Sequence, residues 1–227
     1  MDIRWLGHSC FELSDGTARV LIDPFLKPNS PTAPVTGEEV EPTHILLSYG
    51  HADHIADAVG VATRTGAPVV AIVELAKWMD ARGVEQTFDP NLGGVVEFDW
   101  GYVSIVPAWH TNTTPDGTAI GPAAGLVIKI GETTVYHAGD TCLFSDMKLV
   151  AERSDIDVFL VPIGGHYTMD RHDAVAAAEM VGAATVVPCH YDTFPPIETD
   201  AQAFKRDVDQ QTTSEAVVLE PGETHSL

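Results

Sequence analysis

Basic side chains are scarce: 12 Lys and Arg stand against 33 Asp and Glu in 227 residues, a formal charge of −21. A module that works through a basic face on nucleic acid is excluded, because phosphate binding is built on Lys and Arg. Cysteine is equally sparse. Cys10, Cys142 and Cys189 form neither an even framework nor a C-x-x-C pair, which excludes a disulfide scaffold and predicts packed thiols in a reducing compartment. No apolar run reaches the roughly 18 residues that a membrane span needs. Residues 1–5 run straight into a strand-like pattern, without a basic segment followed by an apolar one, so a cytoplasmic address is expected.

The remaining composition, 44% hydrophobic and 20% charged, is that of a globular protein. A chain of this size buries roughly 70% of its unfolded surface, enough for a core without cross-links. Asp outnumbers Glu 19 to 14 and Lys numbers only 5, a balance suited to concentrated salt, where screening removes self-repulsion. An ordinary acidic cytosolic chain is the other reading. Salt adaptation predicts an unfolding midpoint that rises between dilute and molar KCl, and a midpoint indifferent to salt rejects it.

Strand signals recur at 3–6, 11–13, 19–22, 44–48, 69–72, 95–98, 102–108, 126–130, 133–136, 158–162, 185–188 and 216–219. Helical spacing appears at 55–65, 74–82, 172–181 with Asp170 as its cap, and 200–209. The class is α/β. Hairpins early and strand–helix alternation later, loosely repeated in each half, favour two mixed β-sheets flanked by helices over one doubly wound sheet. The proline-rich stretch 27–42 is too short to separate two cores and reads as a surface loop, so residues 1–227 are expected to form a single domain.

The chemistry concentrates at strand ends. In Ser48-Tyr49-Gly50-His51-Ala52-Asp53-His54 an apolar strand gives way to a helical pattern, and three of the seven residues are metal-ligand types. His110, Asp140 and His190 each follow a further strand-like run. A lone histidine at a strand end is usually structural, but four ligand-bearing strand ends point to a cation site. Imidazole nitrogen with carboxylate oxygen suits zinc, manganese or iron.

With H-A-D-H at 51–54, His110, Gly139-Asp140 and His190, the chain resembles the metallo-β-lactamase superfamily. The runs Trp5-Leu6-Gly7-His8-Ser9-Cys10-Phe11, Leu21-Ile22-Asp23-Pro24-Phe25, Pro162-Ile163-Gly164-Gly165-His166-Tyr167-Thr168-Met169 and Pro188-Cys189-His190-Tyr191-Asp192-Thr193-Phe194-Pro195 resemble its small metal-dependent hydrolase branch, which is similar to the ascorbate-phosphate lactonases. The resemblance spans nearly the whole chain and implies a four-layer αβ/βα sandwich with a two-metal site at a sheet edge. It implies that His51 and His110 bind the first metal, that Asp53, His54 and His190 bind the second, and that Asp140 bridges the two.

The family pattern H-x-H-x-D-H meets Tyr49 at its first histidine. A phenol with a pKa of about 10 is a poor ligand for a divalent ion, so the cofactor expectation is one or two Zn or Mn ions with a weakened first site. Either Tyr49 turns its hydroxyl to substrate, or His166 supplies the missing donor from its glycine-flanked loop. Hydrolysis is the natural use of such a site, since a divalent cation lowers the pKa of water from about 15.7 to about 7 and polarises a carbonyl or phosphoryl oxygen. Asp53 is assigned as ligand and proton acceptor, and His166 as proton donor to the leaving group. His8 and Asp23 are read as hydrogen-bond supports of the ligands, and Tyr49 and Tyr191 as substrate-facing or supporting groups.

The expected partner is a small ester, lactone, amide or phosphodiester; nucleic acid and membrane are disfavoured, and self-association stays open. The alternatives are a metal-dependent nuclease or phosphodiesterase, and a metal-binding protein without catalysis whose first site has degenerated. A serine hydrolase lacks its G-x-S-x-G elbow, and nucleotide-binding loops are absent.

Overall fold

In the computed structural model, which describes residues 1–227, short antiparallel strands open each half of the chain and parallel strands close it. The first half holds β1 (Asp2–Trp5), β2 (Phe11–Ser14), β3 (Arg19–Ile22), β4 (His44–Leu46), α1 (Ala52–Ile55), α2 (Ala58–Thr65), β5 (Val69–Val70), α3 (Val73–Asp80) and β6 (Thr87–Phe88). The second half holds β7 (Val95–Phe98), β8 (Gly101–Pro107), β9 (Ala124–Ile130), β10 (Thr133–His137), α4 (Met147–Ser154), β11 (Val158–Pro162), α5 (Arg171–Val181), β12 (Thr185–Cys189), α6 (Ala201–Gln211), β13 (Glu215–Ala216) and β14 (Thr224–Ser226).

Two seven-stranded sheets result, ordered β14-β1-β2-β3-β4-β5-β6 and β13-β12-β11-β10-β9-β8-β7. In each, the hairpin strands pair antiparallel and a run of four strands pairs parallel, β3-β4-β5-β6 and β10-β11-β12-β13, joined through helices except at the loop from β3 to β4. The inner parallel strand β11 is buried at all five positions, because it is covered on both faces, whereas β2 alternates buried and half-buried. The sheets meet face to face at contacts such as Phe11 in β2 with His137 in β10, whose ring centroids lie 5.9 Å apart. One contiguous core of 62 buried residues draws on both sheets and on the helices outside them.

Helix ends follow local chemistry. Asp170 caps α5 by accepting from the amides of His172 and Asp173, and Asp200 caps α6 by accepting from Ala203. The single helix expected at 55–65 is instead two. At Asp57 the amide donates to Pro24 O rather than back along the helix, and the carboxylate accepts from the Leu26 amide and the Asn29 side chain, so the chain bends to hold the 24–29 loop. The pattern reading passed over α4, which buries only Met147 and Val150, as well as the two- and three-residue edge strands β6 and β14. The 27–42 stretch is more than a surface loop, since Ser30, Ala33 and Val40 are buried. Of the thiols, Cys10 and Cys189 are buried, but Cys142 is exposed. Trp109 is 66% exposed.

Candidate metal centre

Six strand ends, three from each sheet, deliver the polar residues of the site: His8 after β1, Asp23 after β3, residues 49–54 after β4, His110 after β8, Asp140 after β10 and His190 after β12. The loops are stitched across the sheets by Ala124 N donating to Ser48 O and His190 N donating to His8 O, both at 3.0 Å. His8, Asp23 and His190 hold left-handed backbone with φ of 54°, 45° and 52°, a conformation that costs non-glycine residues energy and is retained where tertiary contacts impose it. Gly139, at φ 64°, precedes Asp140. A Cβ there would sit 2.4 Å from Ala124 O, so only glycine lets the end of β10 approach β9 closely enough to place the carboxylate.

Asp140 is the centre of the cluster. Its Oδ1 lies 3.4 Å from His54 Nε2 and its Oδ2 lies 3.1 Å from His190 Nε2, and Oδ2 accepts the Tyr49 hydroxyl at 2.5 Å. His110 Nε2 is farther, 3.8 Å from Oδ2. The other nitrogen of His54 is 2.8 Å from Asp23 Oδ2. Since a carboxylate only accepts, Nδ1 carries that proton and Nε2 is left facing Asp140. Asp23 is itself fixed by the amide and hydroxyl of Ser48.

On the second flank, His8 Nε2 is 3.1 Å from Asp53 Oδ2 and His8 Nδ1 is 2.9 Å from Thr193 Oγ1. The acceptor-only carboxylate places the His8 proton on Nε2, with the threonine hydroxyl donating to Nδ1. One ligand atom each from His8, Asp53, His54 and His190 lies within 4.8 Å of every other. His51 and His110 stand apart from that set, with ring centroids 5.3 Å from one another and 4.7 and 5.3 Å from Tyr49.

The electrostatics follow from carboxylates buried among imidazoles. Burial pushes the Asp140 carboxyl up, but His190 and His54 outweigh it and hold the group well below the usual range. Burial likewise pulls His54 down, and Asp140 with Asp23 lifts it well above an ordinary imidazole. Burial next to His190 and His54 lowers His8 to about 4, against the pull of Asp53, so it is neutral near pH 7. Burial and the Asp140 and Asp53 carboxylates raise the Tyr49 phenol well above its ordinary value.

A divalent cation fits this donor set. His54 Nε2, both nitrogens of His190 and Asp140 Oδ1 are buried without any hydrogen-bond partner, an arrangement costing about 1–3 kcal/mol per group unless something satisfies it. All but His190 Nδ1 are donor atoms that lie within 3.4 Å of the opposing Asp140 carboxylate or belong to it. Nitrogen and oxygen donors of this kind bind zinc, manganese or iron in preference to softer ions.

A cavity of about 620 Å³ opens on this cluster, lined by Tyr49, His51, Asp53, His110, Asp140 and His190 on the polar side. Phe25, Phe194 and Tyr167 give it apolar walls, with Asn29 and Thr111 as its neutral polar groups; no Lys or Arg lines it.

Two of the assigned residues stand apart from the donor cluster. His166 is exposed and lines none of this cavity; its ring stands edge-on to Tyr167 at 4.5 Å. Gly164 packs against His190 O so tightly that a Cβ would come within 2.3 Å of it, and the left-handed turn at Gly165 and His166 carries Tyr167 rather than His166 to the cavity. His166 therefore stands outside the set of side chains that line the cavity. Tyr191 is buried away from the cavity, stacked on Trp5 at 5.2 Å, and Trp5 Nε1 in turn donates to His8 O. It props the turn that presents His8.

Sequence reasoning also passed over Ser48, Thr193 and Asn112, the last of which accepts from Gly50 N and donates to Pro122 O. Thr193 and Phe194 lie in the run that follows His190, where position three or four beyond a ligand was the available signal. Nothing local marks Asn29 or Asn112.

Two mixed seven-stranded sheets flanked by helices, with imidazole and carboxylate donors gathered at their strand ends, define a metal-dependent hydrolase of the β-lactamase superfamily; the family described as "Beta-lactamase superfamily domain" matches residues 2–190. Within it, the chain belongs to the UPF0173 metal-dependent hydrolases. It is 46% identical to the UPF0173 metal-dependent hydrolase of Symbiobacterium thermophilum over 230 residues, covering 100% of both chains. It is 43% identical to that of Methanopyrus kandleri, covering 99% of each. Among solved structures it is similar to Igni18, a metallo hydrolase of the archaeon Ignicoccus hospitalis, with a TM-score of 0.90, 34% identity, and coverage of 99% of this chain and 97% of that one. No helix is long and apolar enough to cross a membrane.

Proposed function

We propose that the chain hydrolyses a small uncharged ester, lactone or amide, using a divalent Zn or Mn ion held by Asp53, His54, Asp140 and His190. The observation that carries this reading is the set of unpartnered buried donor atoms on His54, Asp140 and His190, the last two lining a cavity with aromatic walls and no cationic side chain. When bound, the cation supplies Lewis acidity and a water that ionises near neutral pH.

The residues supply the rest. Asp53 is the ligand-type carboxylate that reaches the cavity with appreciable exposure, its side chain 30% accessible, and His8 fixes its Oδ2. It orients the attacking water and takes its proton. His54 is locked by Asp23, so its Nε2 needs no reorganisation to act as a ligand. Phe25, Phe194 and Tyr167 bury the apolar part of the substrate, while Asn29 and Thr111 hydrogen-bond its polar part. A phosphodiester would find no Lys or Arg in the cavity and a chain of charge −21 around it, which ranks it below a neutral substrate. Unpaired thiols, Cys142 among them on the surface, support a reducing, cytoplasmic location.

The test is to strip the protein with a chelator, restore Zn or Mn, and assay p-nitrophenyl esters, lactones and bis-p-nitrophenyl phosphate. The expected result is turnover only in the restored protein. Esters or lactones should exceed the phosphodiester by at least about tenfold in kcat/KM, the equivalent of about 1.4 kcal/mol in transition-state binding. Turnover that survives stripping rejects the reading, and preference for the phosphodiester rejects its substrate class.

A further inference from the structure

We infer that this chain holds one divalent cation per molecule rather than two, and that Tyr49 sets the number. The inference rests on the metal-dependent reading above and concerns the half of the site that the family pattern would fill with a histidine at position 49.

Tyr49 is fully buried in the corner between the two candidate positions, its ring centroid 4.7 Å from that of His51, 4.3 Å from His54 and 5.3 Å from His110. Its hydroxyl donates to Asp140 Oδ2, which lies 3.1 Å from His190 Nε2 and is the Asp140 oxygen nearest His110. That oxygen is thus occupied by a neutral donor on the side of the first position. His110 stays 3.8 Å from it.

The donor inventory agrees. His51 and His110 face one another without a third imidazole, carboxylate or thiolate joining them in a tight set; the set of that kind is His8, Asp53, His54 and His190. Two imidazoles fall short of the three protein ligands usual in a catalytic zinc site. The buried donors that lack partners, His54 Nε2, the His190 nitrogens and Asp140 Oδ1, belong to the other position. The geometry therefore leaves a complete donor set for one cation, with Tyr49 and Asp140 closing the side where a second would sit.

Metal content of the restored full-length protein, measured by mass spectrometry after equilibrium dialysis against Zn or Mn, tests this. The expected result is one cation per native chain and two per Tyr49→His chain, the second bound at least about 100-fold more tightly than any second ion in the native chain, above the range that loss of a mere supporting partner produces. Tyr49→Phe should still bind one, since it frees an oxygen of Asp140 without adding a donor. The near-ultraviolet difference spectrum on metal addition should lack the signature of ionised tyrosine. Two equivalent cations in the native chain, one in Tyr49→His, two in Tyr49→Phe, or a tyrosinate signature each overturns the inference. The native stoichiometry and spectrum decide even where a variant fails to fold. Absence of bound cation in both the native and Tyr49→His chains overturns the hydrolase reading along with it, whereas two cations with metal-dependent turnover overturn the inference alone.

Discussion

Asp140→Ala is expected to lower kcat/KM more than about 100-fold and to strip the protein of tightly bound metal, an effect beyond the loss of any supporting partner. The side chain answers three buried groups at once: His54 Nε2, His190 Nε2 and the Tyr49 hydroxyl. Removing it leaves Tyr49 a buried donor without an acceptor, which adds about 1–3 kcal/mol of destabilisation of the metal-free chain. The charge matters as much as the hydrogen bond. Asp140 leads the groups that lift His54 against its burial, so without it the imidazoles lose the negative centre around which they are arranged. Asp140→Asn keeps the volume and a carbonyl for Tyr49 but not the charge; it should retain stability while losing metal and activity. Calorimetric unfolding with metal content on both variants separates these effects. An Asp140→Asn protein that retains metal and turnover would remove the carboxylate from the centre of the site.

The second large effect belongs to a residue that does not reach the cavity. Asp23→Asn is expected to weaken metal binding about 10–100-fold, the range seen when the outer partner of a metal-bound histidine is lost. Asparagine still accepts from the Ser48 amide through its carbonyl, but an amide NH2 opposite His54 Nδ1 cannot accept the ring proton. The imidazole is then free to turn or to change tautomer, and Nε2 loses its fixed direction. Asp23→Ala goes further, leaving the buried Ser48 amide and hydroxyl unpaired at about 1–3 kcal/mol each. Dialysis against Zn measures the first change and thermal unfolding the second. If Asp23→Asn binds metal as the native chain does, Asp23 is structural only.

Support of this kind explains why functional groups sit on strained backbone. His8, Asp23 and His190 are held at positive φ by contacts that come from elsewhere in the chain, such as the His190 amide donating to His8 O and Trp5 Nε1 donating to the same carbonyl. The left-handed turns aim side chains into the cleft between the sheets where regular strand geometry would carry the chain past it.

Ligand-type residues after successive strands were legible because strand ends have local signatures: an apolar run, then Gly, Asp or His where the ladder stops. The two mixed sheets followed from the same pattern, and the inner strands were the clearest, since β11 and β12 are apolar on both faces and tolerate little else. The helix break at Asp57 was illegible, because it depends on a carboxylate turning to Leu26 and Asn29 rather than on any change of period.

By itself the order of residues determined which chemical groups the site has to work with and that they arrive at the rims of two sheets, because periodicity and turn chemistry are properties of near neighbours. Only the tertiary structure decided their pairings. Tyr49 meets Asp140 across 91 positions and His8 meets Thr193 across 185, while His166 turns outward and Tyr191 stacks on Trp5. Such choices are made by packing and by the need to satisfy buried polar atoms, and those constraints come into being only when distant segments share one low-dielectric interior.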